Sequence, residues 1–349
     1  VPRFSFIAQL FFLTGSVSIA ASQTPAPVPQ PKSPVYSMQS DYAIADFKDD
    51  PAVVHRMVDF VVMAATGKND TASAWRSLVK PTDRVGIKIS TIGGRLASTH
   101  RSVVNAIIVG LESAGVPGKN ILVWDRSGLA DAGWTGRSGD FQVRSIEPTR
   151  GYDPQAVISS GVLGKLIWGD VDFLKRDPKN RSIVPAERDQ LSADSHLCKI
   201  VSRDVDKIIN VPALISSESC GVAGCLYNVT VPNVDNWRRF AESDSFIPDV
   251  YIDSRVGPKV VLNIMDALLA QYAGGPDFQP NYVMQHGTIY ASKDPVALDV
   301  TALALIERWR VQAKLPPLAP RAAYLETASL MGIGTTSAVN IEIKPVTPR

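Results

Sequence analysis

The chain has 349 residues, 45% of them hydrophobic and 20% charged, with a formal net charge of +2. That length is enough for one large α/β core or two smaller lobes. Lys and Arg are scattered rather than gathered into a basic stripe, which gives a nucleic-acid partner no footing, and an aromatic content of 7% speaks against a carbohydrate-binding platform.

In chain order, residues 1–22 (VPRFSFIAQLFFLTGSVSIAAS) read as a secretory signal. Arg3 supplies a positive start, Phe4–Leu13 an apolar run, and Ser18–Ala20 or Ala20–Ser22 a small-residue cleavage site. Gln9, Thr14, Gly15 and Ser16 interrupt the apolar run, which works against a stable membrane span. The expected destination is therefore the periplasm or outside the cell, with no membrane contact beyond the export signal. The prolines of TPAPVPQPKSP make residues 23–40 a linker. Residues 41–349 are expected to form a single α/β domain.

Within that domain, Asp50–Ala65 and Thr71–Val79 have helical spacing, and Asp70 can cap the second. Val85–Ile89 is a short β-rich run, followed by a Gly-Gly loop and the amphipathic Arg101–Ala114. Ile121–Trp124 is a second strand. Residues 127–195 are polar and rich in Gly and Asp, a long irregular excursion with a small strand near Phe141–Val143 and an apolar run at Val157–Trp168. Lys207–Val211, Val260–Ile264 and Gly287–Ala291 are further strands. Asp294 and Pro295 open a helix to about Arg308, as N-cap and first helical residue. A helix over Arg321–Met331 ends at Gly332, and Asn340–Ile343 closes as a strand. This alternation predicts an α/β fold with a mostly parallel central sheet flanked by helices.

In sheets of that type, ligands sit beyond the carboxyl ends of the strands. The conspicuous polar clusters each follow a predicted strand. Ser90 to His100 follow the first, Asp125 and Arg126 the second, and the loop SSESCGVAGCLYN the third. Asp266 follows the fourth, and Ser292, Lys293 and Asp294 the fifth. Parallel neighbours would bring all five to one rim.

Those blocks resemble a known family. VGIKISTIGGRLASTH with GLESAGVPGKNILVWDR, DKIINVPALISSESCGVAGCLYN and YASKDPVALDVTAL are similar to the conserved regions of the domain of unknown function 362 family, over roughly Asp83 to Ile343. Exported members are common and relatives often carry ferredoxin-type domains, so the resemblance implies a redox or cluster-linked role, with a redox partner protein, but no single reaction. Two departures bear on chemistry. Tyr227–Asn228 replaces a Lys-Asn pair common in relatives, and Ser216, Ser217 and Glu218 stand where relatives carry a His.

The residues themselves suggest a small anionic ligand. Gly93 and Gly94 let backbone N–H groups approach an anion, Thr99 or Ser98 can cap the following helix, and Lys88 and Arg95 add charge. On this reading Arg95→Ala abolishes protection by sulfate or phosphate. Arg126, Asn228, Arg238, Arg239, Lys293 and Asp294 complete the candidate binding set, the paired arginines suiting a carboxylate or phosphate. His100, Asp125, Cys220 and Cys225 are the candidates for chemistry, as an acid/base pair or a metal site whose occupancy stays open. Three cysteines leave at least one thiol without an intrachain partner. Cys198, in apolar LCKIV, reads as a buried thiol, and Cys220 and Cys225 can close a small disulfide. No self-contained iron–sulfur motif occurs, and no GxSxG or HExxH. Two functional readings stay open: an enzyme-like or redox-associated protein binding a small anion, and a non-catalytic binding or accessory protein that keeps the fold with an altered central loop.

Overall fold

A computed structural model of the chain describes residues 32–134, 140–148, 150–158, 195–235, 237 and 246–347. The signal segment, most of the Val157–Trp168 run, and Arg238 and Arg239 lie outside the described residues.

The first described strand, β1 (Ser33–Gln39), leads through β2 (Ile44–Ala45) and β3 (Lys48–Asp49) into α1 (Pro51–Thr66) and α2 (Thr71–Arg76). Asp50 and Asp70 cap these two helices by accepting first-turn amides, and Gly67, at φ 66°, closes α1 in the left-handed region. Next come β4 (Val85–Ile89), the single turn α3 (Gly94–Ala97), α4 (Arg101–Ser113), β5 (Ile121–Asp125), β6 (Gln142–Ser145) and β7 (Tyr152–Ile158). Then follow β8 (Ser195–Cys198), β9 (Lys207–Val211), β10 (Ala213–Ser217), β11 (Gly221–Val222), α5 (Cys225–Thr230) and α6 (Ile247–Tyr251). The last elements are β12 (Val260–Gln271), β13 (Val283–Ser292), α7 (Pro295–Gln312), α8 (Ala323–Leu330) and β14 (Ile341–Pro345).

The main sheet runs in the order β14-β1-β13-β12-β9-β4-β5-β6. From β6 to β12 all neighbours are parallel; β13 is antiparallel to β12, β1 antiparallel to β13, and β14 parallel to β1. The fold is thus α/β with a mixed, mostly parallel sheet. Period-two alternation divides the sheet between two cores. Val85, Ile87 and Ile89 face the core shared with α1, α2 and α4. Leu122, Trp124 and Ile208 face the core shared with α5, α6, α7 and α8.

Three expectations need correction. Ser33–Gln39 is a strand between β13 and β14 rather than the end of a linker. Pro34 is tolerated because it precedes the stretch paired with β13, so its missing N–H opens no gap in that ladder. The predicted strand at Val260–Ile264 extends to Gln271, pairing first with β9 and then with β10, which continues β9 beyond Pro212. Finally, β13 runs against its neighbour, which reverses the end of the sheet at which Lys293 and Asp294 emerge.

Candidate binding site at the carboxyl ends of β4 and β5

The side chains between Ile87 and Ile89 and their equivalents form a polar row on an otherwise apolar face. Lys88 is in register with Asn210 of β9, Asn210 with Asn263 of β12, and Asn263 with Ser292 of β13. All four are buried. Buried polar groups need partners, and α5 supplies the principal one. Asn228 donates to Asn210 Oδ1 at 2.8 Å and to the Lys88 carbonyl at 3.2 Å. Asn210 donates to Asn263 Oδ1 and to the Cys225 carbonyl, each at 2.8 Å, and Asn263 donates to the Ser292 carbonyl at 3.2 Å.

At the head of this row the Lys88 ammonium donates to the Ile89 carbonyl and Asp125 Oδ1, both at 2.7 Å, and to Asn228 Oδ1 at 3.2 Å. Burial pushes the Lys88 pKa down and the Asp125 charge works against that push. Asp125 in turn accepts the Arg126 amide on Oδ1 and the Thr91 amide and hydroxyl on Oδ2, each at 2.7 Å. Three ammonium protons meet three acceptors, and each carboxylate oxygen accepts a backbone amide, while the single proton of the Thr91 hydroxyl has both Asp125 Oδ2 and the Ser127 carbonyl within reach. A lysine and an aspartate so occupied form a frame for the loops after β4 and β5, with no ammonium proton left for substrate.

That frame carries a cavity of about 200 Å³ beyond the carboxyl ends of β4 and β5. Ser90, Thr91, Asp125, Arg126, Ser127 and Asn228 form its polar wall, and Ile92, Ala223, Val231, Pro232, Tyr227 and Trp237 its apolar one. Arg126 supplies the charge. Its guanidinium lies 5.0 Å from the Trp237 ring centroid and donates through Nη1 to the Val234 carbonyl at 3.0 Å. Asp125 is paired with Lys88 and Asp235 with His196. Among the described residues no carboxylate forms an ion pair with Arg126. Burial lowers its pKa, against the opposing influence of Tyr152, Asp125 and Asp235.

Lys88, Asp125, Arg126 and Asn228 therefore gather as the sequence suggested, while other candidates go elsewhere. Gly93, Gly94 and Arg95 belong to α3 and its approach and do not line the cavity. Arg95 is exposed. Thr99 is not a helix cap: its hydroxyl accepts the Ser90 amide at 2.9 Å and donates to the Val211 carbonyl at 2.7 Å. His100, which precedes α4, pairs through its amide and Nδ1 with Asp266 Oδ2, at 2.6 and 2.8 Å. Asp266 stands on β12, three strands from Asp125, which is about 14 Å at ordinary strand spacing. A shared His100–Asp125 site is thereby overturned. Among the described residues no group of three metal-ligating side chains occurs.

None of the three cysteines is in a disulfide, and all are buried. Cys220 lies in the turn between β10 and β11, with its Sγ 3.1 Å from Ser217 Oγ. Cys225 begins α5, and burial together with the neighbouring Asp299 raises its thiol well above the ordinary range. A thiol held that way is a packing group rather than a nucleophile. Ser217 and Glu218, at the altered family positions, serve the fold. Ser217 Oγ accepts the Cys220 amide, and Glu218 pairs with Arg310 at 2.9 Å. Asp294 caps α7 and accepts from Ser33 Oγ and the Thr335 amide. It and Lys293 lie toward the amino ends of the parallel strands, away from the cavity, because β13 is antiparallel.

Tyr227, Val231 and Trp237 are cavity residues that the sequence reading did not place there. Their signal is weak, since aromatic and β-branched residues near a strand end usually pack. A stronger one was present: a single Asn interrupts the apolar run of KIINV and of VVLNIM, at positions the sheet puts side by side.

A mostly parallel open sheet flanked by helices, with a ligand-sized cavity beyond the carboxyl ends of β4 and β5, places the fold in the open-sheet α/β class. The chain belongs to the family described as domain of unknown function (DUF362), whose model matches residues 85–304 and so spans every element that builds the cavity. No curated protein matches the sequence. Among solved structures, the crystal structure of a structural-genomics target from Thermotoga maritima is similar at a TM-score of 0.38 and 11% identity, over 79% of this chain. The match spans 60% of that protein's length, and a likeness at this level carries no argument.

Proposed function

We propose that this protein binds a small anionic ligand in the cavity beyond β4 and β5, with Arg126 as its counter-charge. The observation that carries the reading is the half-buried guanidinium of Arg126, which faces the cavity while Asp125 is paired with Lys88 and Asp235 is hydrogen-bonded to His196. A cation drawn out of water without an ionic partner is costly, and an anion arriving from solvent relieves that cost. The fully donating Lys88, paired with Asp125, and the buried thiols support binding as the purpose of the site, in preference to acid–base or thiol chemistry. Export to the periplasm or medium, resting on residues 1–22, belongs to the same proposal, and a reporter fused behind those residues would test it.

Thermal-shift and calorimetric titration with acetate, sulfate and phosphate test the binding reading. Wild-type protein should be stabilised in a saturable manner by at least one of these anions. Arg126→Gln should lose the shift, Arg126→Lys should retain part of it, and Arg95→Ala should keep it in full. Equal protection of wild type and Arg126→Gln would remove the proposal.

A further inference from the structure

The walls of the cavity carry more information than its charge. Beside Arg126 and the other polar residues, Ile92, Ala223, Val231, Pro232 and Trp237 give the wall an apolar part. An inorganic anion held by Arg126 would leave the space along that part filled with poorly bonded water, which an apolar ligand group displaces at a gain. The volume, about 200 Å³, can be set beside an apolar cavity of about 150 Å³ that takes up benzene. It therefore suits a six-membered ring carrying one small polar group, roughly nine non-hydrogen atoms.

Charge bookkeeping narrows the class further. Lys88 and Asp125 are held together at 2.7 Å and cancel, so among the described residues of the wall Arg126 is the charged side chain without an ion-pair partner. One half-buried cation matches a monoanion. A dianion would bring a second, unmatched charge beside Asp125 in a partly desolvated space. The planar fork of a guanidinium also matches a carboxylate in two parallel hydrogen bonds.

We infer that the ligand is a small monocarboxylate with an apolar, ring-sized body, whose carboxylate meets Arg126 and whose body lies against Val231, Pro232 and Trp237. This rests on the anion-site reading above and specifies its ligand class.

The test is a calorimetric and thermal-shift comparison of benzoate, benzamide, acetate and inorganic phosphate on the full chain. Benzoate should bind saturably and at least tenfold more tightly than acetate or phosphate. Benzamide, equal in shape but neutral, should be at least tenfold weaker than benzoate, and Arg126→Gln, shown folded by circular dichroism, should bring benzoate down to the benzamide level. Phosphate or acetate binding as tightly as benzoate would overturn the ring-carboxylate class while leaving the anion site intact. Benzamide binding as tightly as benzoate would overturn both the carboxylate and the counter-charge role of Arg126. Failure of all four to bind would sink the anion site itself.

Discussion

Lys88 donates all three ammonium protons inside the fold, and the residues that receive them belong to three different elements: Ile89 on β4, Asp125 on β5 and Asn228 on α5. A single side chain thus locks strand, neighbouring strand and covering helix. The gain from such a pair is small compared with the cost of breaking it, because the remaining charge stays buried alone. Lys88→Met should destabilise the protein by about 3–5 kcal/mol, read as a lowered urea midpoint. Adding Asp125→Asn to that variant should restore part of the loss, since the orphaned charge is then gone. Equal stability of Lys88→Met and wild type would show that the pair does not hold the fold. Lys88 and Asp125 stood out in the sequence as charges within or just after an apolar run. The saturation of the Lys88 ammonium did not, because hydrogen-bond partners from α5 are visible only once that helix is placed over the sheet.

At the scale of the element, α5 is short and held at its start rather than by its own propensity. Six residues cannot sustain an isolated helix. Asp299 of α7, fully buried, accepts the Cys225 amide and, at 3.0 Å, the Leu226 amide. Burial pushes the Asp299 carboxyl up to about 7, against the pull of those amide bonds. Gly224 is required at this junction for space: a Cβ there would stand 2.1 Å from Asp299 Oδ1. Gly224→Ala should therefore cost on the order of 1–3 kcal/mol in stability through overpacking. Because Asn228 sits one turn along the same helix and lines the cavity, the variant should also bind anions more weakly. Urea unfolding and anion titration of the same preparation check the two effects, and unchanged values would mean that α7 shifts to make room. A sequence shows the glycine but not the carboxylate 75 residues later that makes it necessary.

Across the whole molecule, the alternation of strands and helices was enough to read the α/β class and the parallel centre, because buried parallel strands announce themselves as short apolar runs. Strand direction was not readable. Val283–Ser292 has the same look in either orientation, and only its antiparallel pairing with β12 sends Lys293 and Asp294 away from the cavity. The pairing of His100 with Asp266 was hidden for a related reason. Asp266 stands in the interior of a long strand, where the sequence suggested a loop, and the tie joins the crossover after β4 to β12. This tie has a measurable signature. Burial works against a charged imidazole at His100, but the charge and hydrogen bond of Asp266 outweigh it, so the folded pKa lies above the ordinary 6.5. The folded protein then keeps a proton that the unfolded chain has released. Its contribution to stability is complete below the unfolded pKa, about 6.5, and is lost as pH rises through the higher folded value. His100→Gln should accordingly cost most near pH 6 and progressively less toward about pH 9, in urea unfolding followed across that range. A difference from wild type that stays constant with pH would mean that His100 is neutral and binds Asp266 by hydrogen bonding alone.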